Sequence, residues 1–388
     1  MKKDKNKIKQ RIAEKRWIIE LERKNIEYSS AYPQNRKNRK NRKNRKNRKN
    51  RKKLKRGSNY IEFPKLFSIY RIENKKNFKK ILEIINRIDT EKNSSITLSF
   101  KHVENLKVAA MLMLYAAVEK AILRNVSFKV YSLSDKQSVN RMLKNSGFLT
   151  LCKRNHTEPF FDRGYMPVVS GFSGQYRDDI VDFIQKKIYK DKMSPTTESI
   201  YGGAVHEAIN NVSYHAYPAL TDDDENKKWW VKCDLTNDQL YLAIYDKGVG
   251  IPNTVVNKKW YAKTLTISQP GLVKQIHEEL KKSNLDINNL RAKVALGLVS
   301  DAVKIAVSMV DDVSGTGETK HGQGSKSIKA LVNKNEHGKL WIFSGKGLYK
   351  IVDDNVEVID LPSAIEGTLI QWNIKVEYDE PKNNKNSE

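Results

Sequence analysis

Residues 206–217 read HEAINNVSYHAY, and this stretch decides the fold expected for the second half of the chain. As a helix it sets Glu207, Asn211 and His215 at positions i, i+4 and i+8, so a carboxylate, an amide and an imidazole share one face. A magnesium nucleotide site needs such groups, because Asn supplies a hard oxygen ligand and Glu can hold and deprotonate water. The spacing is equally compatible with a surface helix that carries polar residues one turn apart.

A second acidic motif follows a predicted strand at residues 239–245. The strand leads into D-x-G-x-G, formed by Asp246, Gly248 and Gly250. Glycines let the backbone pass closely under a planar ligand, while the carboxylate accepts a hydrogen bond from that ligand. Asp-x-Gly is also a common hairpin turn, so a purely structural interpretation stays open.

Two glycine-containing groups, residues 315–317 and 322–325, precede a helix predicted at residues 327–332. Free backbone amides and the positive end of a helix dipole together form a cradle for phosphate. Lys320 adds positive charge to this segment. The segment therefore predicts a phosphate-binding lid.

The ordered set of motifs resembles the GHKL ATPase superfamily, which holds gyrase-type topoisomerases, heat-shock chaperone ATPases, histidine kinases and mismatch-repair ATPases. The order is a helix with E-x-x-x-N-x-x-x-H, a strand with D-x-G-x-G, a glycine-rich lid and helix, and Gly367-Thr368 opening a last strand predicted at residues 369–376. The resemblance covers residues 175–378, and residues 206–217 are most similar to the anti-sigma-factor serine kinase branch. It implies an α/β (α+β) fold, with a Bergerat-type α/β sandwich that binds ATP over residues 170–378.

The resemblance also implies roles for individual residues, with ATP and Mg²⁺ as cofactors. Asn211 would bind the metal, Glu207 would be the catalytic base or would position water, and Asp246 would accept from the adenine amino group. Gly248 and Gly250 would give the adenine room. The remaining nucleotide contacts would come from Lys320, Gly322, Gly324, Ser325 and Thr368, with Thr368 near Asp246.

Three functions stay open, because a carboxylate such as Glu207 can activate either water or a hydroxyl group. The first is a slow, magnesium-dependent ATPase that signals or clamps through lid closure and partner switching. The second is a protein serine/threonine kinase of anti-sigma type acting on a separate STAS partner. The third is a nucleotide-gated binding module with little turnover. Each implies a protein partner or a homodimer.

The net charge of +27 is concentrated near the N-terminus. Residues 1–60 contain 25 Lys and Arg against 5 Asp and Glu, whereas the remaining 328 residues contribute only +7. The triplet Asn-Arg-Lys repeats six times over residues 35–52, and a segment without apolar residues is expected to be disordered. Residues 1–58 are therefore predicted to be a basic tail that either binds nucleic acid or another polyanion through residues 35–56 or solvates a linker.

Cysteine content and hydropathy indicate the compartment. Cys152 and Cys233 lie far apart and outside any metal-binding spacing, which suits a reducing cytoplasm. No apolar run approaches the length of a membrane span. The expectation is a cytoplasmic protein without membrane contact, whose residues 379–388 form a disordered C-terminus.

Residues 59–165 are predicted to form a separate small α/β domain with a β-α-β-α order. The strand at residues 95–100, the apolar helix after it and residues 140–149 resemble the STAS domain of anti-sigma-factor antagonists. Those antagonists have a phosphorylatable hydroxyl at the start of that helix, where this chain has residues 107–110, KVAA. The resemblance therefore implies a docking or dimerisation domain that has lost the phosphorylation switch.

Overall fold

The computed structural model describes residues 59–159, 161, 164–220, 224–282, 298–310 and 323–378. The protein is of the mixed α+β class, with parallel sheets in its first part and an antiparallel sheet in its second. The described residues form two compact units. One contains the residues up to Ile69 and Glu83–Glu158, and the other contains Tyr70–Leu82 and the residues from Pro159 onward.

Several predictions from the sequence lie outside the described residues. These are the basic tail at residues 1–58, the C-terminus at residues 379–388, and the lid residues Lys320 and Gly322. In the part of the chain that is described, no helix combines the length and the apolar character that crossing a bilayer requires.

The first unit is built on a three-stranded parallel sheet in the order β1-β3-β5, accompanied by a short parallel pair β2-β4. Parallel neighbours need crossover connections, which the helices between these strands supply. Helix α2 is a core helix, since residues 108–118 are all buried. The chain from Tyr60 to Arg154 contains β1 (Tyr60–Glu62), β2 (Leu66–Phe67), α1 (Lys75–Thr90), β3 (Ser95–Ser99), β4 (Asn105–Leu106), α2 (Val108–Ile122), β5 (Ser127–Ser132), α3 (Gln137–Asn145) and α4 (Phe148–Arg154).

The second unit is built on a five-stranded antiparallel sheet in the order β6-β7-β8-β10-β9. Its described α-helices and strands are β6 (Val169–Phe172), α5 (Arg177–Phe183), α6 (Pro195–Asn211), β7 (Lys228–Thr236), β8 (Gln239–Asp246), α7 (Ile251–Val255), α8 (Tyr261–Ser268), α9 (Pro270–Lys282), α10 (Asp301–Ser308), α11 (Gln323–Asn333), β9 (Lys339–Val352) and β10 (Asn355–Lys375).

Tight turns set the register of this sheet. Val352 pairs with Asn355, so Asp353 and Asp354 form a two-residue hairpin loop between β9 and β10. Both loop residues have positive φ, at 50° and 61°, as a type I′ turn requires. Asp tolerates this conformation better than most residues, so the dipeptide fixes which side chains of the two strands face the core.

Helix α6 starts and ends at defined signals. Ser194 accepts a hydrogen bond from the backbone N–H of Thr197 at 3.2 Å, and Pro195 occupies the first helical position. After Asn211 the helix continues as a π-helical turn, Val212–Ala216. The helix packs on α11 and on the sheet, and together these elements enclose the main core of the unit.

Most elements predicted from the sequence are confirmed, but the predicted extent of the last strand is wrong. The last strand does not open at Thr368; it begins at Asn355 and passes Gly367 through register shifts. The shifts let one strand bend where the sequence suggests a break.

Candidate functional site

A cavity of about 270 Å³ lies between helix α6, the five-stranded sheet and the first turn of α11. It collects predicted site residues from four separate parts of the sequence. Of those predicted residues, Gly248 does not line it, and Lys320 and Gly322 lie outside the described part of the chain. The predicted residues that line it are Glu207, Asn211, Asp246, Gly250, Gly324, Ser325 and Thr368, and His215 from the same helix face lines it as well.

Glu207 and Asn211 form the helical wall of the cavity. Asn211 donates from Nδ2 to Glu207 Oε1 at 2.9 Å. This bond uses the amide nitrogen of Asn211 and leaves its amide oxygen available to accept a hydrogen bond or to bind a metal. Both side chains are half-buried. A methyl group built on Gly324 would lie 2.2 Å from Glu207 Oε1, so the start of α11 closely approaches this carboxylate.

Asp246 and Thr368 face each other across neighbouring strands. They are register partners in the β8–β10 pairing, and Thr368 pairs on its other side with Ser344 of β9. All three residues are buried. The result is a polar row that crosses three strands at one end of the sheet.

An apolar row runs parallel to the polar row, at a distance of two residues from it on each strand. Ile244 pairs with Ile370, and Ile370 pairs with Ile342. Side chains two residues apart in a strand share a face, so both rows belong to the face under α6. All three isoleucines line the cavity, which gives it a flat apolar floor beside a set of polar groups.

Asp246 is 5% exposed, and this burial raises the pKa of its carboxyl group to about 7. Hydrogen bonds from the backbone N–H groups of Gly248, at 2.8 Å, and Thr368 oppose the rise, while the charge of Glu366 adds to it. A buried carboxyl group with a pKa near neutrality is typical of functional sites.

Gly367 explains how Thr368 reaches Asp246. Its φ is +73°, and a methyl group at this position would lie 2.0 Å from the carbonyl oxygen of Asp246. Ser344 then donates to the carbonyl of Gly367 at 2.8 Å and accepts from the N–H of Ile251 at 3.0 Å. Sequence reasoning missed Ser344, since only the strand register shows that it joins this cluster.

Gly248 and Gly250 serve different purposes from one another. Gly250 has a φ of +81° and lines the cavity. Gly248 instead packs against the end of the π-helical turn, where an added methyl group would lie 2.2 Å from the carbonyl oxygen of Ala216. Gly248 therefore allows close packing of two backbone segments, and the role predicted for it, room for a planar ligand, stays a prediction.

A further wall of the cavity comes from the segment after α7, which the sequence did not single out. Lys258 and Trp260 line the cavity here, together with His215 from the π-helical turn. The pKa of the His215 imidazole is lowered, first by partial burial and then by the charge of Lys258. The cavity thus combines two carboxyl groups with cationic and aromatic groups.

The donor set bears on which metal could bind. Across the described ranges, no three or more His, Cys, Asp and Glu side chains cluster as a metal site. Mg²⁺ bound with a nucleotide needs few protein ligands, because phosphate oxygens and water fill most of its coordination positions. The amide oxygen of Asn211, oriented by the bond to Glu207, fits that requirement.

Comparisons with protein-family models, with curated proteins and with solved structures found no match.

Proposed function

We propose that the second unit binds Mg·ATP in this cavity and hydrolyses it, as a member of the GHKL superfamily. One observation carries the proposal: three predicted motifs, at residues 207–215, 246–250 and 324–325, line one cavity together with Thr368. These motifs lie far apart in the sequence. Unrelated surface motifs would be scattered over the unit.

The sheet side of the cavity suits a purine. A planar ring can lie on the apolar row of Ile244, Ile370 and Ile342, which excludes water from its face. The adjacent carboxyl group of Asp246 can accept a hydrogen bond from an exocyclic amino group at the ring edge. Adenine has such a group at the 6-position and guanine has one at the 2-position, so the choice of adenine rests on the GHKL resemblance.

The helical side of the cavity suits a triphosphate. Asn211 would hold Mg²⁺ through its amide oxygen, and the metal when bound would neutralise charge on the phosphate oxygens. Gly324 and Ser325 lie in the first turn of α11, where backbone N–H groups and the helix dipole favour anions. The side chain of Lys258 adds a cation to the same cavity.

Glu207 is the group proposed to act on water. Its carboxylate would orient a water molecule and take a proton from it while the oxygen attacks the terminal phosphorus. The new bond forms between the water oxygen and that phosphorus, and the bond from phosphorus to the bridging oxygen breaks, so ADP leaves with both bonding electrons. Asn211 keeps Glu207 oriented through the 2.9 Å hydrogen bond to Oε1.

ATP turnover would be coupled to lid closure and to exchange of a protein partner. A protein serine/threonine kinase is the alternative, in which Glu207 activates a partner's hydroxyl group in place of water. The first unit would be the docking surface in either case.

The test incubates the purified full chain with ATP labelled on its terminal phosphate, with Mg²⁺ and with excess chelator. We expect labelled inorganic phosphate that depends on Mg²⁺ and is lost in Glu207→Gln. Label transferred to an added STAS-domain protein would support the kinase alternative. ATP that is neither bound nor turned over would refute the proposal.

A further inference from the structure

The turn that follows Asp246 is attached to the end of the helix that carries Glu207 and Asn211. The backbone N–H of Val249 donates to the carbonyl of Ala216 at 2.8 Å. The backbone N–H of Lys247 donates to the hydroxyl of Tyr217 at 3.0 Å. Ala216 and Tyr217, at the helix end, thus accept hydrogen bonds from the amides of Val249 and Lys247 in the turn.

The Tyr217 hydroxyl has a second bond that fixes its own position. It donates to the carbonyl of Lys228, at the start of β7, at 2.9 Å. Acting as both donor and acceptor, the hydroxyl connects three segments, which are the helix end, the start of β7 and the turn after Asp246. A hydroxyl held from both sides has little freedom to move.

The turn after Asp246 and the helix end are closely packed, so the turn has little room to shift. Gly248, between the two bonded amides, lies so near Ala216 that an added methyl group would be 2.5 Å from the Ala216 Cβ. Asp246 Oδ1 in turn accepts from the N–H of Gly248 at 2.8 Å. A shift of the turn would therefore move the carboxyl group of Asp246.

We propose that Tyr217 is a positioning residue for recognition of the nucleotide base. Its hydroxyl holds the Asp246 turn at a fixed distance from the helix that carries Asn211, so a bound nucleotide meets its base acceptor and its metal ligand together. This inference rests on the proposed binding of ATP. It gives a role to Tyr217, which ends the stretch 206–217 but does not line the cavity.

The expected effect is a loss of base selectivity, because Tyr217 does not line the cavity and acts only through the turn that positions Asp246. In Tyr217→Phe the ring stays and the hydroxyl is lost, which frees the amide of Lys247 from its partner. The preference for Mg·ATP over the triphosphate of purine riboside, which lacks the 6-amino group, should fall about fivefold, the scale of one neutral hydrogen bond. Affinity for inorganic tripolyphosphate, which has no base, should not change.

Tyr201→Phe is the matched control. Tyr201 lies on the same helix, is 1% exposed, and has its hydroxyl 3.1 Å from that of Tyr189 rather than near the turn. A purely structural loss of one buried hydroxyl should lower the melting temperature of both variants but change base selectivity in neither. Selectivity reduced only in Tyr217→Phe supports the proposal.

Hydrogen exchange of the wild-type full chain provides a second readout, in case Tyr217→Phe does not fold. Exchange at the amides of Lys247 and Val249 should slow when Mg·ATP is added. Unchanged exchange with ATP bound, or unchanged base selectivity in a folded Tyr217→Phe, would overturn the role of Tyr217 alone. A wild-type protein that does not bind ATP would overturn the proposed function, and this role with it.

Discussion

Asn211 Nδ2 lies 2.9 Å from Glu207 Oε1, one helical turn away, on the wall of the cavity. The bond ties the side chain proposed to bind metal to the side chain proposed to activate water. Because the two proposed roles, metal binding and activation of water, belong to different side chains, single substitutions can test each role.

Glu207→Gln should bind ATP and fail to turn it over. The amide oxygen of Gln can still accept from Asn211, so the geometry is retained while the proton acceptor is lost. We expect the turnover number to fall by about 10²- to 10⁴-fold with little change in the dissociation constant for ATP. Steady-state phosphate release and equilibrium binding measure the two quantities. Glu198→Gln, on the same helix but outside the cavity lining, is the control, and turnover above one tenth of wild type in Glu207→Gln would contradict the role of Glu207.

Asn211→Ala should abolish the effect of magnesium on ATP binding. The loss of the amide oxygen removes the proposed protein ligand to the metal, so binding with Mg²⁺ should approach binding with chelator. The adjacent Asn210 provides the control, because its side chain accepts from Arg177 at 3.0 Å and does not line the cavity. A magnesium response that survives in Asn211→Ala would assign the metal to another group.

Asp246 should make ATP binding depend on pH. Its carboxyl group has a pKa of about 7, and the ionised form is the better acceptor for an amino group. Affinity should be constant above that pKa and should decline as the pH falls below it. Asp246→Asn should bind ATP more weakly and lose this pH dependence. Calorimetric titrations between pH 5.5 and 8.5 on both proteins test this, and identical pH profiles would contradict it.

The same residue should lower stability at neutral and higher pH. Because the folded-state pKa is raised above the ordinary 3.8, the folded protein binds more protons than the unfolded chain between these values. Stability contributed by the neutral acid is thus present at low pH and lost as the pH rises through about 7, at up to ~1.4 kcal/mol per unit. The melting temperature of Asp246→Asn, relative to wild type, should rise from pH 5 to pH 8. A difference in melting temperature that does not change with pH would show that ionisation of Asp246 does not lower stability.

Gly367→Ala should destabilise the unit and impair binding. Its positive φ and its approach to the Asp246 carbonyl leave no room for a methyl group, so we expect a loss of about 1–3 kcal/mol. Gly203→Ala is the control, since an added methyl group there meets nothing within 4 Å in a helix. That substitution should be neutral or stabilising by up to ~1 kcal/mol. Chemical denaturation compares them, and equal effects would refute this account of Gly367.

Much of this site could be predicted from the sequence because its groups lie in short local motifs. Glu207 and Asn211 sit at helical spacing, and Asp246 follows an apolar strand. The mixed α+β class also followed from the alternation of helical and strand patterns. These features depend on residues close together in the chain.

Other parts of the site depend on strand register and packing, which local patterns do not encode. Ser344 joins Thr368 only because β9 pairs with β10 in one register, and Tyr217 reaches Lys247 across the helix end. The close packing of Gly248 could not be predicted for the same reason, because its neighbour Ala216 comes from a distant element. The lid residues Lys320 and Gly322 remain predictions.

Calorimetric titration of the full chain with Mg·ATP is the most direct test of the central claim. We expect saturable binding at one site per chain in the wild type. We also expect affinity reduced about tenfold or more in both Asp246→Ala and Asn211→Ala, with wild-type affinity retained in Asn210→Ala. No saturable binding by the wild type, or binding that both cavity substitutions leave unchanged, would contradict the claim that this cavity is an ATP site.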